Sequence, residues 1–219
     1  MSGDVNHVDW VMEVARAGLP VMLDTGNATL GEVETAVDAI LAAGNDRIVI
    51  HHVPSGYPAG PASVNLRVIT TLRQMFPDCA IGFSDHGVTR DACVAAVALG
   101  VHMIEKVLTL DRAQDGPEHI MGLEPAEAGA FVQAIWDVEQ AMGAPRRVIG
   151  DKERAGKVVA RRSAHLRRGV VLHERLQPED IDWRRPGDGI QPCEGPYLVG
   201  RKFARDLPAG HKLRWEDLA

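Results

Sequence analysis

Aromatic residues make up only 5% of the 219 positions, and the three cysteines, Cys79, Cys93 and Cys193, form no CxxC pair. This excludes a disulfide framework and a zinc knuckle and favours a reducing, cytoplasmic compartment. No apolar run is long enough to cross a membrane, and the N-terminus lacks the charged-then-apolar pattern of a signal segment. Low-complexity tracts are also missing. With 45% hydrophobic and 25% charged residues, the composition fits a soluble chain of one or two globular domains and excludes disordered and fibrous classes.

What the sequence does contain is a repeated unit. Val21-Met22-Leu23, Arg47 to His52, Ala80 to Phe83 and His102 to Leu108 are short runs rich in branched apolar residues, each followed by a stretch with helical spacing. Thr29 with Glu32 three residues on predicts a capping box, Ser63 and Thr89 are candidate N-caps, and Pro125 suits a first helical turn. Gly18, Gly44, Gly100 and Gly143 follow the helical runs as C-caps. His7 to Ala17 reads as a helix preceding the first strand. Four strand-to-helix units amount to half of an eight-stranded barrel.

The net charge of −6 conceals a split: residues 1–145 hold 7 Lys/Arg against 19 Asp/Glu, and residues 146–219 hold 17 against 11. The halves therefore carry −12 and +6. The predicted organisation is an α/β half-barrel over 1–145, a linker over 146–157 rich in Gly, Pro and charges, and a small β-rich module over 158–219. In the last, Val158 to Arg162 and Val170-Val171-Leu172 read as short strands, and Arg185 to Gly189 as a turn.

Several motifs follow one another in the order seen in sialic acid synthases: Ser2-Gly3-Asp4, Val21 to Gly26, His52 to Pro58, Ser84-Asp85-His86, Ile104-Glu105-Lys106, Gly116 to His119 and Arg184 to Gly189. The chain resembles the C-terminal part of a NeuB-type nonulosonic acid synthase. That resemblance implies a partial (β/α)8 TIM barrel, comprising the last four βα units, followed by an antifreeze-like SAF domain of the β-clip type. It also implies an enzyme of surface carbohydrate biosynthesis that condenses phosphoenolpyruvate with an N-acylated mannosamine-type sugar. Such an enzyme uses a divalent metal, manganese or magnesium, and works as a homodimer in which one subunit's tail covers its partner's barrel.

The resemblance assigns roles residue by residue. His86 is the expected metal ligand, polarising the sugar aldehyde. Ser2 and Ser84 match phosphate-binding positions, and Asp24 stands where the family has a serine near that phosphate. Tyr57, Asp4 and Glu118 match positions that contact the sugar, Glu118 replacing an aspartate. His52 and Ser55, in the same motif as Tyr57, complete the substrate-binding set. Arg185 matches the arginine that the tail inserts into the partner's site, where a guanidinium can pair with hydroxyls or anions. The basic tail and the acidic barrel half are electrostatically suited to that docking.

Two departures stand out. The family's Glu-Lys-His triplet is Glu105-Lys106-Val107 here, and valine cannot bind a metal, so the expected site is weakened, or repaired by His52, His102 or a water. Glu105 and Lys106 could equally form an ion pair in the barrel interior. Asp24 would repel a phosphate. The acid, two lysines and polar groups that the family contributes from its first four strands lie outside this sequence, so the expectation is that the chain alone is inactive. The alternative is a noncatalytic half-barrel whose SAF module binds a carbohydrate or a partner synthase. A nucleic-acid module is disfavoured, because the arginines of the tail lack interleaved aromatics and the overall charge is acidic.

Overall fold

The computed structural model describes residues 2–219, which divide into two compact units between Gly143 and Ala144. In the first unit, helix α1 (Val8–Arg16) precedes strand β1 (Val21–Asp24). Helix α2 (Leu30–Ala42), strand β2 (Ile48–His52), the short helix α3 (Pro61–Val64) and helix α4 (Arg67–Met75) follow. Strand β3 (Ala80–Asp85), helix α5 (Asp91–Ala98), strand β4 (Met103–Lys106) and helix α6 (Pro125–Met142) complete it. The four strands form one parallel sheet in the order β1-β2-β3-β4. This is a partial barrel.

Alternation of side chains sets the packing. Val21 and Leu23, Ile48 and Ile50, and Ile81 and Phe83 point to one side and are buried under Val33, Val37 and Ile40 of α2, Ile69 and Leu72 of α4, and Cys93 and Ala96 of α5. Each complete burial of such a side chain is worth about 1.5–3 kcal/mol. The opposite side carries Met22 and Met103, both exposed.

Local signals account for several helix ends. The Thr29 hydroxyl accepts from Glu32 N while Glu32 accepts from Thr29 N at 2.7 Å, a closed capping box. Pro125 occupies the first turn of α6. Gly44 and Gly100, at φ +83° and +87°, end α2 and α5 in the left-handed conformation that glycine adopts without strain. Two expected caps are absent. Ser63 lies inside α3 with its hydroxyl on the Gly60 carbonyl, and α5 begins after Arg90 with no side-chain cap, so Thr89 is not its N-cap.

The second unit opens with helix α7 (Asp151–Ala160), which occupies much of the linker expected over 146–157 and takes in Val158, expected to begin a strand. Strand β5 (Ser163–Leu166) pairs antiparallel with strand β6 (Ile181–Arg184). Isolated bridges such as Val170 with Leu207 and Phe203 with Leu218 knit the remaining loops around a core of Leu166, Leu176, Leu198, Phe203 and Leu213.

Candidate functional site

Because all four strands run parallel, their last residues gather at one end of the sheet, the end where barrel enzymes place their chemistry. Register then sorts these residues by face. Asp24 lies opposite His51, His51 opposite Gly82, and Ser84 opposite Glu105, so these groups share the face turned away from the helices. His52, Asp85 and Lys106, one residue on, belong to the helix-covered face.

On the open face, the His51 side chain is fully buried. Its Nδ1 lies 3.2 Å from Asp24 Oδ1 and 3.7 Å from Glu105 Oε2. Its Nε2 lies 3.3 Å from Met103 Sδ. The ring crosses over β3, where a Cβ on Gly82 would stand 2.0 Å from His51 Cδ2, so only glycine admits it. The Ser84 hydroxyl donates to Glu105 Oε1 at 2.8 Å and orients that carboxylate. The hydrogen bond from His51 holds the Asp24 carboxyl below the usual carboxylate range, outweighing the opposing effect of burial. Among the described residues, Asp24, His51 and Glu105 each offer one ligand atom, all within 4.8 Å of one another. Two oxygens and an imidazole nitrogen form a donor set that suits a divalent ion such as manganese.

On the helix-covered face, Lys106 Nζ pairs with Asp85 Oδ2 at 2.6 Å, the two side chains being 5% and 0% exposed. Lys106 also donates to the Gly87 carbonyl, and Gly87 N donates to Asp85 Oδ1 at 3.0 Å. The ion pair expected between Glu105 and Lys106 is thus corrected: adjacent strand residues face opposite ways, and the lysine pairs across the strands with Asp85. His52 Nε2 meets the Val64 carbonyl at 2.6 Å, and burial lowers the pKa of its imidazole. His102 Nδ1 accepts from Ile81 N at 3.1 Å. Neither histidine joins Asp24 and Glu105, so the expected repair by one of them is not what the fold arranges.

The remaining sequence-predicted residues lie in loops. His86 follows β3, with its Nδ1 3.1 Å from the Pro54 carbonyl and its ring stacked on Tyr57 at 4.6 Å between centroids. It stands outside the Asp24–His51–Glu105 group. Ser2 packs against Gly26, just past β1, within a turn that also carries Asp4. Ser55 donates to Asn27 Oδ1 at 3.3 Å, and with His52 it lines a separate cleft of about 520 Å³ that includes Thr25, Asn27 and Asn65. Glu118 is exposed ahead of the turn His119–Met121.

In the second unit, Arg185 is exposed and has no ion pair among the described residues. The loop that carries it is held by the Ser163 hydroxyl on the Pro186 carbonyl at 2.6 Å, by Gly187 N on the Val158 carbonyl at 2.7 Å and by a Lys212–Asp188 pair at 2.7 Å. The residue that sequence reasoning missed is His51. The signal was present in the His51-His52 doublet at a strand end, since one of two adjacent residues must point to each face.

A parallel sheet of barrel type with polar groups gathered at its strand ends, joined to a small β-rich module, defines the class as a partial TIM barrel carrying a C-terminal clip domain. The comparisons with known proteins agree. The NeuB family model matches residues 1–147 and the SAF domain model residues 161–219. This chain belongs to the NeuB family. It is 35% identical over 221 residues to the N,N'-diacetyllegionaminic acid synthase of Legionella pneumophila, covering 99% of this chain and 62% of that protein. It is similar to the crystal structure of the spore coat polysaccharide biosynthesis protein SpsE of Bacillus subtilis, with TM-score 0.62 and 30% identity, covering 100% of this chain and 66% of the other. A spore coat polysaccharide biosynthesis protein from Chromobacterium violaceum shares the fold, at TM-score 0.78 and 22% identity. The chain spans less than two thirds of the length of these relatives.

Proposed function

We propose that this chain forms the C-terminal part of a nonulosonic acid synthase, condensing phosphoenolpyruvate with an N-acylated mannosamine-type sugar in surface carbohydrate biosynthesis. The observation that carries this reading is the convergence of Asp24, His51, Ser84 and Glu105 at the strand ends of a NeuB-family sheet, with Tyr57 stacked on His86 in the adjoining loops. A divalent ion bound at the strand ends would polarise the sugar aldehyde and make its carbon electrophilic toward the enol carbon of phosphoenolpyruvate. The Tyr57 ring offers the sugar an apolar face, and Asp4 and Glu118 supply hydroxyl acceptors. Ser2 serves the phosphate. Ser84, whose hydroxyl is given to Glu105, acts by orienting that carboxylate. Arg185, on its fixed turn, reaches the sugar of a partner subunit in a homodimer with tail-to-barrel contacts. The setting is cytoplasmic; no described helix is long and apolar enough to cross a membrane.

A specific observation also favours a second, noncatalytic reading: two carboxylates, Asp24 and Glu105, stand on the face where the phosphate should approach. Inorganic phosphate release separates the two. The chain alone is expected to be silent, and a barrel completed by the four remaining strands of a relative is expected to turn over at about 1 per second or more. Arg185→Ala in the completed enzyme should raise the KM for the sugar far more than that for phosphoenolpyruvate. A folded, completed barrel that stays silent with every N-acylated hexosamine offered would leave the noncatalytic reading standing.

A further inference from the structure

We propose that the buried Lys106–Asp85 pair is the positioning device of the loop that follows β3, fixing the His86 imidazole with its proton on Nδ1 and its lone pair on Nε2. The inference rests on the reading of His86 as a site residue in the function proposed above, and it gives a role to two residues that this reading leaves without one.

The pair calls for a reason beyond stability, because a buried ion pair seldom stabilises more than an apolar pair of similar volume. What an apolar pair cannot supply is hydrogen bonds to the loop. Beyond its 2.6 Å contact with Asp85 Oδ2, Lys106 Nζ donates to the Gly87 carbonyl, and Asp85 Oδ1 accepts from Gly87 N at 3.0 Å. Both polar groups of the Gly87 backbone are thereby tied to the ends of β3 and β4, one residue beyond His86. The fit is close: a Cβ on Gly87 would stand 3.1 Å from Asp85 Oδ1.

On its other side, His86 meets the loop over 54–59. Ala59 N donates to the His86 carbonyl at 2.8 Å, the Pro54 carbonyl lies 3.1 Å from Nδ1, and the exposed Tyr57 ring stacks on the imidazole. A carbonyl oxygen can only accept, so Nδ1 carries the proton and Nε2 keeps the lone pair. In water a neutral histidine side chain favours the opposite tautomer, so the protein has to select this one through the partner of Nδ1. Two loops that touch only each other can drift together, and anchoring Gly87 to the strand ends removes that freedom. A free Nε2 is what the imidazole needs in order to ligate a cation or accept a proton.

The test reads the ring directly and requires no turnover, so that its failure and the failure of the proposed function are distinct. Long-range proton–nitrogen correlation spectra of the isotope-labelled full chain are recorded at about pH 8.5, where ordinary imidazoles are neutral. They should show His86, assigned by its loss in His86→Gln, protonated at Nδ1 and unprotonated at Nε2. The double variant Lys106→Met, Asp85→Leu leaves no orphan charge and should remain folded by circular dichroism, yet its His86 signal should shift so that the Nε2–H form becomes the majority. A second double variant, Lys106→Met, Asp85→Asn, keeps the shape of residue 85 in case the first does not fold, and should shift the same way. Glu105→Gln, on the opposite face of β4, should leave the His86 signal unchanged. A wild-type ring protonated at Nε2, folded double variants that keep the wild-type Nδ1–H pattern, or an equal shift in Glu105→Gln would overturn the assignment.

Discussion

At the residue scale, the end of the sheet shows how one-residue steps separate structural from chemical groups. The side chains of Lys106 and Asp85 are buried and pair with one another, while Glu105 and Ser84, their immediate neighbours, face the opposite way. A buried pair of this kind is costly to break, because the surviving charge is left without a partner. Lys106→Met should therefore destabilise the protein by about 3–5 kcal/mol, read as a lower urea midpoint. A Lys106→Met, Asp85→Leu double variant should recover much of that loss, since it leaves no orphan charge. If Lys106→Met alone unfolds at the wild-type midpoint, the pair is not the structural clamp described here.

At the scale of elements, the turn Trp215–Asp217 near the C-terminus is pinned by one carboxylate. Asp217 is fully buried and accepts from Arg205 at 2.6 Å, from His211 Nε2 at 2.9 Å and from Arg214 N at 2.9 Å. Burial alone would raise its pKa, but the hydrogen bonds from Arg205, His211 and the Arg214 amide outweigh it and hold the carboxyl below its ordinary value of 3.8. A carboxyl with a lowered folded pKa contributes stability above its unfolded pKa and loses it as pH falls through the folded value. Asp217→Asn should thus cost about 1–3 kcal/mol at neutral pH. The gap to wild type should close only below about pH 4. A gap that stays constant from pH 7 to pH 3 in chemical denaturation would remove the ionised carboxylate from the account.

Elements also differ in how plainly the sequence declares them. The capping box at Thr29 and Glu32 and the first-turn Pro125 could be read because each is a local interaction within one turn. Helix α7 could not. It has no buried residue, so no apolar stripe marks its period, and its visible support is charge pairing of Arg154 with Asp151 and of Arg147 with Glu153. The caps assigned to Ser63 and Thr89 failed for the complementary reason: a hydroxyl before a helical pattern is a candidate, and the path of the loop decides whether it reaches the amides.

At the scale of the whole molecule, the four-stranded sheet ends in two parallel edges, β1 and β4, with Met22 and Met103 exposed on its open face. Unpaired edges and an uncovered apolar face are liabilities that proteins satisfy by pairing or covering. The chain is accordingly expected to self-associate at micromolar concentration, as a dimer or larger assembly in light scattering. The opposite charges of its acidic and basic parts should make the association weaken with added salt. A monodisperse monomer across that range would contradict the expectation.

The sequence by itself determined the units and the family: four apolar strand runs, the helices between them and an ordered set of motifs, all set by local patterning along the chain. Tertiary structure decided which of those residues meet. His51 and His52 are equally polar and adjacent, and nothing local to them says which turns toward Asp24 and Glu105. That follows from the parallel register, Asp24 opposite His51 and Ser84 opposite Glu105, which brings together residues 27 and 54 positions apart in sequence from His51 and sends each neighbour to the other face. A side-chain period of two fixes that adjacent residues separate, but only strand pairing across the sheet fixes which of them gather.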